Sequence, residues 1–407
     1  MTGVTHRGHR SMRTALRALL ALLAILAALQ LGTPSPPARA QPPTEPEAGT
    51  RIELLAQTPW VAPQGTFELR LRVSDAPPDA RLAIDVHPAV SSRSRFSDTI
   101  RAQSLGSPLR PGPPSWPLNN LAREDGTYQV VVPVGGTETP PFGVRLSSAG
   151  VYPVSISVVD PEGKQAARLV THLIRLPRSG SSGVPLALSL IVPLEARSPF
   201  RPDGSLQLTS TDRNRLSTTI SALSRTPDVA VSLVPSPETV DALAVAREEG
   251  TDLLATLARA LPGRHVLARP YAPIDLAAWA RAAPSDADAD IGLTRQLATG
   301  TEVVAAQLGI WPDSDTWLAD QHTDPTALSR LRDAGVSQVV VPADRIAGPQ
   351  KPSSPADLLA FEMRTADGAA LRAVTTDGLL AERLLATTDP VLNAHLVLAD
   401  LAILALE

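Results

Sequence analysis

Two parts of the chain differ in their hydrophobic pattern. From residue 51 to residue 177 apolar and polar residues alternate in short segments separated by turn residues, which is the pattern of half-buried β-strands. The alternating segments run from Phe67 to Val73, Leu82 to Val86, Tyr128 to Val132, Val154 to Val158 and Val170 to Leu176. We therefore predict an all-β domain over residues 51–177, a β-sandwich of immunoglobulin-like type.

The alternation lapses between Ser91 and Asp125, where Ser, Pro and Arg dominate. This composition predicts a long surface loop inserted in the sandwich. A Gly- and Ser-rich stretch at residues 178–183 then predicts a linker.

After the linker the pattern becomes that of alternating strands and helices. A continuous apolar run from Leu186 to Leu194 is typical of a strand covered on both faces of a parallel sheet. Further strands are predicted at residues 229–234, 265–268, 316–319, 336–341 and 371–374. This order predicts an α/β domain over residues 184–407, and the pattern alone favours a barrel and a doubly wound sheet equally.

The final segment, from Asp389 to Glu407, predicts a capped helix rich in Leu and Ala. Its length and the internal Asp400 favour a core helix of the α/β domain over a membrane span. A buried helix at this position, together with six strands instead of eight, indicates a domain truncated at its C-terminus.

The first forty residues have the three parts of a secretory signal peptide. Four arginines and no acid lie between His6 and Arg17, an apolar run extends from Ala18 to Leu29, and Ala38-Arg39-Ala40 provides a small-x-small cleavage site. An uncleaved anchor helix is the alternative, and either form predicts an extracytoplasmic protein. Residues 41–50, rich in Pro and Glu, predict a flexible spacer.

Composition excludes several classes of function. Without residues 1–40 the chain has 32 basic and 41 acidic residues, a net charge of about −9, which argues against a nucleic-acid partner. Cysteine is absent, which excludes disulfides, thiolate metal sites and cysteine nucleophiles. The chain has no Gly-rich phosphate loop and no G-x-S-x-G motif, and its histidines lack metal-binding spacing, so no cofactor and no metal are predicted.

Candidate site residues follow from the predicted parallel strands, because ligand sites in such domains lie at the carboxyl ends of the strands. Glu195, Asp275 and Asp320 could supply the paired carboxylates that glycoside hydrolysis requires. Acids at strand ends also cap helices and form loop salt bridges, so a purely structural role is the alternative. Residues that could bind a glycan are Arg269, Tyr271, Trp317, His322 and Asp377. For the aromatic residues among them the alternative is core packing.

Several short motifs resemble an uncharacterised family of secreted actinobacterial proteins. They are Val184–Leu194 with Asp203-Gly204, Thr226–Val229, Ala268–Tyr271 with Asp275-Leu276, Thr316–Ala319 and Ala334–Val336. The resemblance implies a leader, a β-rich domain and an incomplete α/β barrel similar to polysaccharide deacetylases and related glycoside hydrolases. Family members usually end with a transmembrane helix and a basic tail, and their genes often lie beside that of a lipid II flippase, which implies an envelope role.

Two departures limit what the resemblance implies. The paired aspartates and metal histidines of the deacetylases are missing, and Ala272-Pro273 stands where the family often has a further aspartate. Our leading hypothesis is therefore a non-catalytic or cryptically catalytic envelope protein, held at the outer face of the membrane, with a binding or assembly function linked to cell-wall glycans or their precursors. A carbohydrate-active hydrolase and a structural partner of envelope membrane proteins are the alternatives.

Overall fold

A computed structural model describes residues 49–102, 104–109, 115–135, 143–177, 186–197, 199–282, 287–320, 322–342 and 360–406. The predicted signal peptide, nearly all of the spacer and the linker lie outside the described residues. The described chain forms two compact units, each considered by itself. The β unit comprises residues 49–186 and 379–406, and the α/β unit comprises residues 187–378.

The β unit contains two four-stranded sheets with the orders β1-β2-β5-β6 and β4-β3-β7-β8. All pairs are antiparallel except β5 with β6. The strands are β1 (Arg51–Gln57), β2 (Gly65–Ser74), β3 (Arg81–Val86), β4 (Trp116–Pro117), β5 (Tyr128–Gly135), β6 (Val144–Arg145), β7 (Gly150–Val159) and β8 (Gln165–Arg175).

Apolar residues at alternate positions of these strands form the core of the β unit. Phe67, Leu69 and Leu71 of β2 are buried, and the residues between them are exposed. The alternation thus marked the strands and their buried faces, whereas the immunoglobulin-like type of sandwich stays a prediction.

The segment from Ser91 to Asp125 contains regular structure, so its interpretation as a surface loop is wrong in part. It includes helix α1 (Arg93–Ile100), strand β4 and a 3₁₀ turn (Leu118–Asn120). Arg93, Phe96 and Thr99 of α1 are buried. Since two of these three buried residues are polar, the segment has no apolar period that could have predicted a helix.

The α/β unit alternates strands with helices, as the sequence predicted. Its strands are β9 (Ile191–Leu194), β10 (Ser232–Pro235), β11 (His265–Val266), β12 (Thr316–Leu318), β13 (Gln338–Pro342), β14 (Phe361–Arg364) and β15 (Ala370–Thr376). Its helices are α2 (Ser210–Arg225), α3 (Pro237–Val245), α4 (Arg247–Ala260), α5 (Leu276–Ala282), α6 (Ala287–Leu308) and α7 (Pro325–Asp333).

The strands of the α/β unit pair largely in chain order. Strands β9, β10 and β11 are parallel neighbours, as are β12, β13 and β15, while β14 forms an antiparallel hairpin with β15. A parallel bridge between Leu267 and Asp313 joins the two groups, with 2.7 Å from Ala268 N to Asp313 O. The described strands form no closed barrel, and the incomplete barrel stays a prediction.

The final segment packs with the β unit and not with the α/β unit, to which the sequence pattern assigned it. It forms α8 (Gly378–Leu384) and α9 (Pro390–Leu406), and α9 contacts β1, β7, β8 and α1. Asp389 caps α9 by accepting from Leu392 N–H at 2.9 Å, and its second oxygen accepts from Leu54 N–H of β1 at 2.9 Å. Across the described ranges, no helix combines the length and apolar character needed to cross a membrane.

Candidate functional site

A cavity of about 110 Å³ lies at the carboxyl ends of β9, β10, β11 and β12. Parallel strands present these ends at one edge of a sheet, so the loops that follow them converge. Glu195 comes from the loop after β9, Ser236 and Glu238 from the start of α3, and Arg269 from the loop after β11. Trp317 of β12, Asp320 and Thr323 are the other polar and aromatic residues of the described lining.

Glu195 and Arg269 form an ion pair in the cavity wall, with 2.5 Å between Oε2 and Nη1. The Glu195 side chain is about half exposed, and the Arg269 side chain is about one third exposed. The pair links the ends of two strands that are not neighbours, and both groups remain open to a ligand.

Helix α6 fixes the loop that carries Arg269. The carbonyl oxygen of Gln296 accepts from Tyr271 N–H at 3.0 Å, and its side-chain oxygen accepts from Ala272 N–H at 3.3 Å. Gly300 permits this approach, because a Cβ there would lie 2.1 Å from the Arg269 carbonyl oxygen.

Tyr271, a glycan-binding candidate from its position in the sequence, lies outside the cavity lining. Its hydroxyl donates to Asp241 Oδ2 of α3 at 3.0 Å. Burial, followed by the hydrogen bond and negative charge of Asp241, raises the pKa of Tyr271 to about 12. Tyr271 therefore joins its loop to α3 as a neutral donor.

Asp320 lines the cavity and also shapes its own loop. Its Oδ1 accepts from His322 N–H at 2.8 Å and from the Thr323 hydroxyl at 2.9 Å. This is an Asx-type turn, in which an acidic side chain replaces a backbone acceptor.

The remaining candidates lie outside the lining. Asp275 accepts from Ala278 N–H at 2.8 Å and so caps α5, which is the structural role considered for it as an alternative. His322 is exposed, and Asp377 follows β15. The cavity thus unites Glu195, Arg269, Trp317 and Asp320 but not Asp275, Tyr271, His322 or Asp377.

Sequence reasoning missed Ser236 and Glu238 as cavity residues. Glu238 is buried, and its Oε1 accepts from Phe200 N–H at 3.1 Å. The sequence Ser236-Pro237-Glu238 has the pattern of a helix start, a cap residue followed by Pro and an acid. Its place directly after a buried strand was the signal that could have identified both residues.

A wider groove of about 860 Å³ lies on the β unit, between β1, β2, β5 and residues 122–125. Among its lining residues, Arg70 pairs with Asp125, and Arg123 donates to the side-chain oxygen of Gln129 at 2.5 Å. None of the described residues that line the groove is aromatic. The smaller cavity in the α/β unit is therefore the stronger candidate site.

Within the described ranges, no group of three or more His, Asp or Glu residues is arranged to hold a metal ion. Among the described residues, the lining offers one aromatic ring, one guanidinium, three carboxylates and two hydroxyls. These groups can stack on an apolar face and exchange hydrogen bonds with a polar ligand.

Comparisons with known proteins give a family and a distant structural similarity. The model of a family of unknown function (DUF6049) matches residues 11–357. A search of curated proteins gives no significant match. A β-glucuronidase from Parabacteroides merdae is 11% identical over 72% of this chain, which spans 35% of that enzyme, with a TM-score of 0.19. So low a TM-score supports no argument about fold or activity.

Proposed function

We propose that this protein, which belongs to DUF6049, a family of unknown function, is exported to the cell envelope. Its α/β unit binds a cell-wall glycan there without hydrolysing it. The signal-peptide pattern of residues 1–40 supports export. The resemblance to secreted actinobacterial proteins, whose genes often lie beside that of a lipid II flippase, supports the envelope and its glycans as the setting.

The observation that carries the proposal is the composition of the cavity. Sugar rings have apolar faces edged by hydroxyl groups. Trp317 offers a flat apolar surface, while Arg269, Glu195 and Asp320 offer charged hydrogen-bonding groups around it. The volume of about 110 Å³ is below the roughly 300–1,000 Å³ of pockets that enclose drug-sized ligands, so it suits one end of a glycan chain.

The contacts of the carboxylates favour binding over hydrolysis. A glycosidase needs one carboxylic acid to protonate the leaving oxygen and one carboxylate to attack or activate water. Here Glu195 is joined to Arg269, and Asp320 accepts two hydrogen bonds that hold its loop. Both acids therefore support the shape of the cavity wall.

A carbohydrate-active hydrolase is the second candidate, because Glu195 and Asp320 line the same cavity. This convergence of two carboxylates from the ends of different strands is the minimum arrangement for the reaction. The earlier alternative pair, Asp275 with Asp320, is less favourable because Asp275 caps α5 outside the lining.

The test combines binding and turnover on one set of soluble cell-wall glycan fragments. We expect binding without release of sugars. Trp317→Ala should weaken it at least about tenfold, as expected when a central aromatic contact is removed. Trp311→Ala is the matched control, since Trp311 is 73% exposed and outside the cavity lining.

Turnover that disappears in both Glu195→Gln and Asp320→Asn would replace the proposal by the hydrolase. Absence of both binding and turnover would refute glycan recognition and favour the third alternative, a structural partner of envelope membrane proteins.

A further inference from the structure

The charges around the cavity are unbalanced. Glu195, Glu238 and Asp320 contribute three carboxylates to the lining, and Arg269 contributes one guanidinium. Arg269 pairs with Glu195, so that pair is neutral as a whole. The formal negative charges of Glu238 and Asp320 are then not compensated by a cation of the described lining.

The positive end of α3 does not reverse this sign. Glu238 stands in the first turn of α3, where a carboxylate offsets the partial positive charge of the helix end. Asp241 lies one turn further along α3. The negative charges of Asp241 and Glu238 contribute to the raised pKa of Tyr271, so their field extends to the loop of Arg269.

Ser236 adds an independent feature, a buried hydroxyl in the cavity wall. The residue is 8% exposed and occupies the N-cap position of α3, but its side chain makes no capping hydrogen bond. The Ser236 hydroxyl lines the cavity and can therefore exchange a hydrogen bond with a ligand hydroxyl. The hydroxyl is thus not used to cap α3.

From the charge, the hydroxyl and the size of the cavity together, we infer that the bound glycan ends in an amino sugar whose amine is free and protonated. This inference rests on the proposed glycan-binding function and specifies its ligand. The ammonium group would face the carboxylates, a sugar hydroxyl would meet Ser236, and Trp317 would cover the apolar face of the ring. A cavity of about 110 Å³ also favours an ammonium over a bulkier acetamide group.

The test compares three oligosaccharides of equal length by titration calorimetry at low salt and mildly acidic pH. They are a chitosan oligosaccharide with free amines, the same oligosaccharide fully N-acetylated, and an oligogalacturonate. We expect the free amines to increase affinity about tenfold over the acetylated form, as expected for charge-assisted hydrogen bonds. The oligogalacturonate should bind weakest, and added salt should reduce the differences.

Variants then identify the groups responsible. Asp320→Asn and Glu195→Gln should each reduce the preference for the free amine about fivefold. Ser236→Ala should weaken the amine and acetylated forms equally, because it removes a hydrogen bond and no charge. Glu302→Gln, an exposed acid on α6, is the control and should change nothing.

The outcomes distinguish a failure of the amino-sugar inference from a failure of the proposed glycan-binding function. Equal affinity for the free and acetylated oligosaccharides would overturn the amino-sugar inference and leave glycan binding intact. A preference that survives both acid substitutions would also overturn it. No binding of any glycan, including the cell-wall fragments, would overturn the proposed function itself.

Discussion

Asp400, in the middle of α9, is completely buried between two arginines. Arg93 Nε of α1 lies 2.6 Å from Asp400 Oδ1, and Arg383 Nε of α8 lies 3.2 Å from Oδ2. Arg383 also donates to the Ser97 hydroxyl at 2.6 Å and lies over the Phe96 ring, 5.4 Å from its centroid. One carboxylate therefore connects three helices of the β unit.

We predict that Asp400→Asn lowers the free energy of unfolding of the β unit by about 3–5 kcal/mol, because two buried guanidinium groups lose their counter-charge. Glu53→Gln is the matched control, since its pair with Arg72 is half exposed and should cost no more than about 1 kcal/mol. Urea denaturation measures both. If both variants lowered the free energy of unfolding equally, the buried Asp400 ion pairs would contribute no more to stability than the exposed pair.

His172 of β8 is also buried, with Phe96 and Thr99 of α1 around it. The Thr99 hydroxyl donates to the Phe96 carbonyl at 2.7 Å, so its oxygen accepts from His172 Nε2–H at 2.9 Å. Within the described residues His172 Nδ1 has no hydrogen-bond partner. Burial, and secondarily the charge of Arg383, lowers the pKa of His172 to about 3, and burial lowers that of His395 to about 4.

These pKa values predict that the β unit loses stability in acid. Between pH 6.5 and the lowered values the unfolded chain binds protons that the folded chain excludes, so the free energy of unfolding falls as pH decreases. The limiting slope is about 1.4 kcal/mol per pH unit for each histidine. Denaturation at several pH values measures the slope of the free energy of unfolding against pH, and His172→Asn should reduce this slope by about half. An unchanged slope would mean that His172 titrates normally in the fold.

At the scale of the elements, α6 determines where the Arg269 loop lies. Gly300 is buried against this loop, and its missing side chain leaves room for the Arg269 carbonyl oxygen. Arg269, which lines the cavity, and Gly300, which positions the Arg269 loop, thus lie on different elements.

We predict that Gly300→Ala displaces the Arg269 loop, destabilises the α/β unit by about 1–3 kcal/mol and weakens glycan binding. The added Cβ would lie 2.1 Å from one backbone atom and 3.0 Å from Tyr271 N, and backbone cannot yield as a side chain can. Thermal unfolding and titration measure the two effects, with the exposed Thr294→Ala on the same helix as control. Full binding by Gly300→Ala would show that the loop position is not critical.

The elements differ in how far the sequence could predict them. Alternation located β2 and its buried face because side chains in a strand alternate between two faces. It could not locate α1, whose buried Arg93 and Thr99 are held by polar contacts with residues far along the chain. A helix as apolar as α9 is predicted to be buried, but its sequence pattern does not indicate which elements it packs against.

The residues of the candidate site could also be predicted only in part. Glu195, Arg269, Trp317 and Asp320 follow from the rule that parallel strands end at one edge of a sheet. Tyr271 and Asp275 belong to the same loops, yet their side chains turn to Asp241 and to the backbone of α5. Those directions depend on α3, α5 and α6, whose positions the local sequence does not encode.

At the scale of the whole molecule, the β unit is made of two segments that are separated in sequence by the entire α/β unit. The second segment provides α9 and the acidic member of the Asp400 cluster. The β unit is therefore incomplete without residues 379–406.

We predict that a chain ending at residue 378 loses the cooperative fold of the β unit and keeps that of the α/β unit. Removal of α9 exposes the apolar residues of β7 and β8 that it covers and leaves Arg93 without Asp400. Amide hydrogen exchange should show lost protection in β7 and β8 and retained protection in β10 and β13, which serve as the internal control. Retained protection in β7 and β8 would show that the β unit folds without its second segment.

The divided β unit also imposes an order on biosynthesis. A chain is made from its N-terminus, and an exported chain also crosses the membrane from that end, so its N-terminal segments are the first that can fold. The first segment of the β unit must wait, with its sheets incomplete, until the whole α/β unit and then α9 have been made. A chain released before α9 would keep an uncovered sheet, the kind of surface that chaperones and proteases recognise.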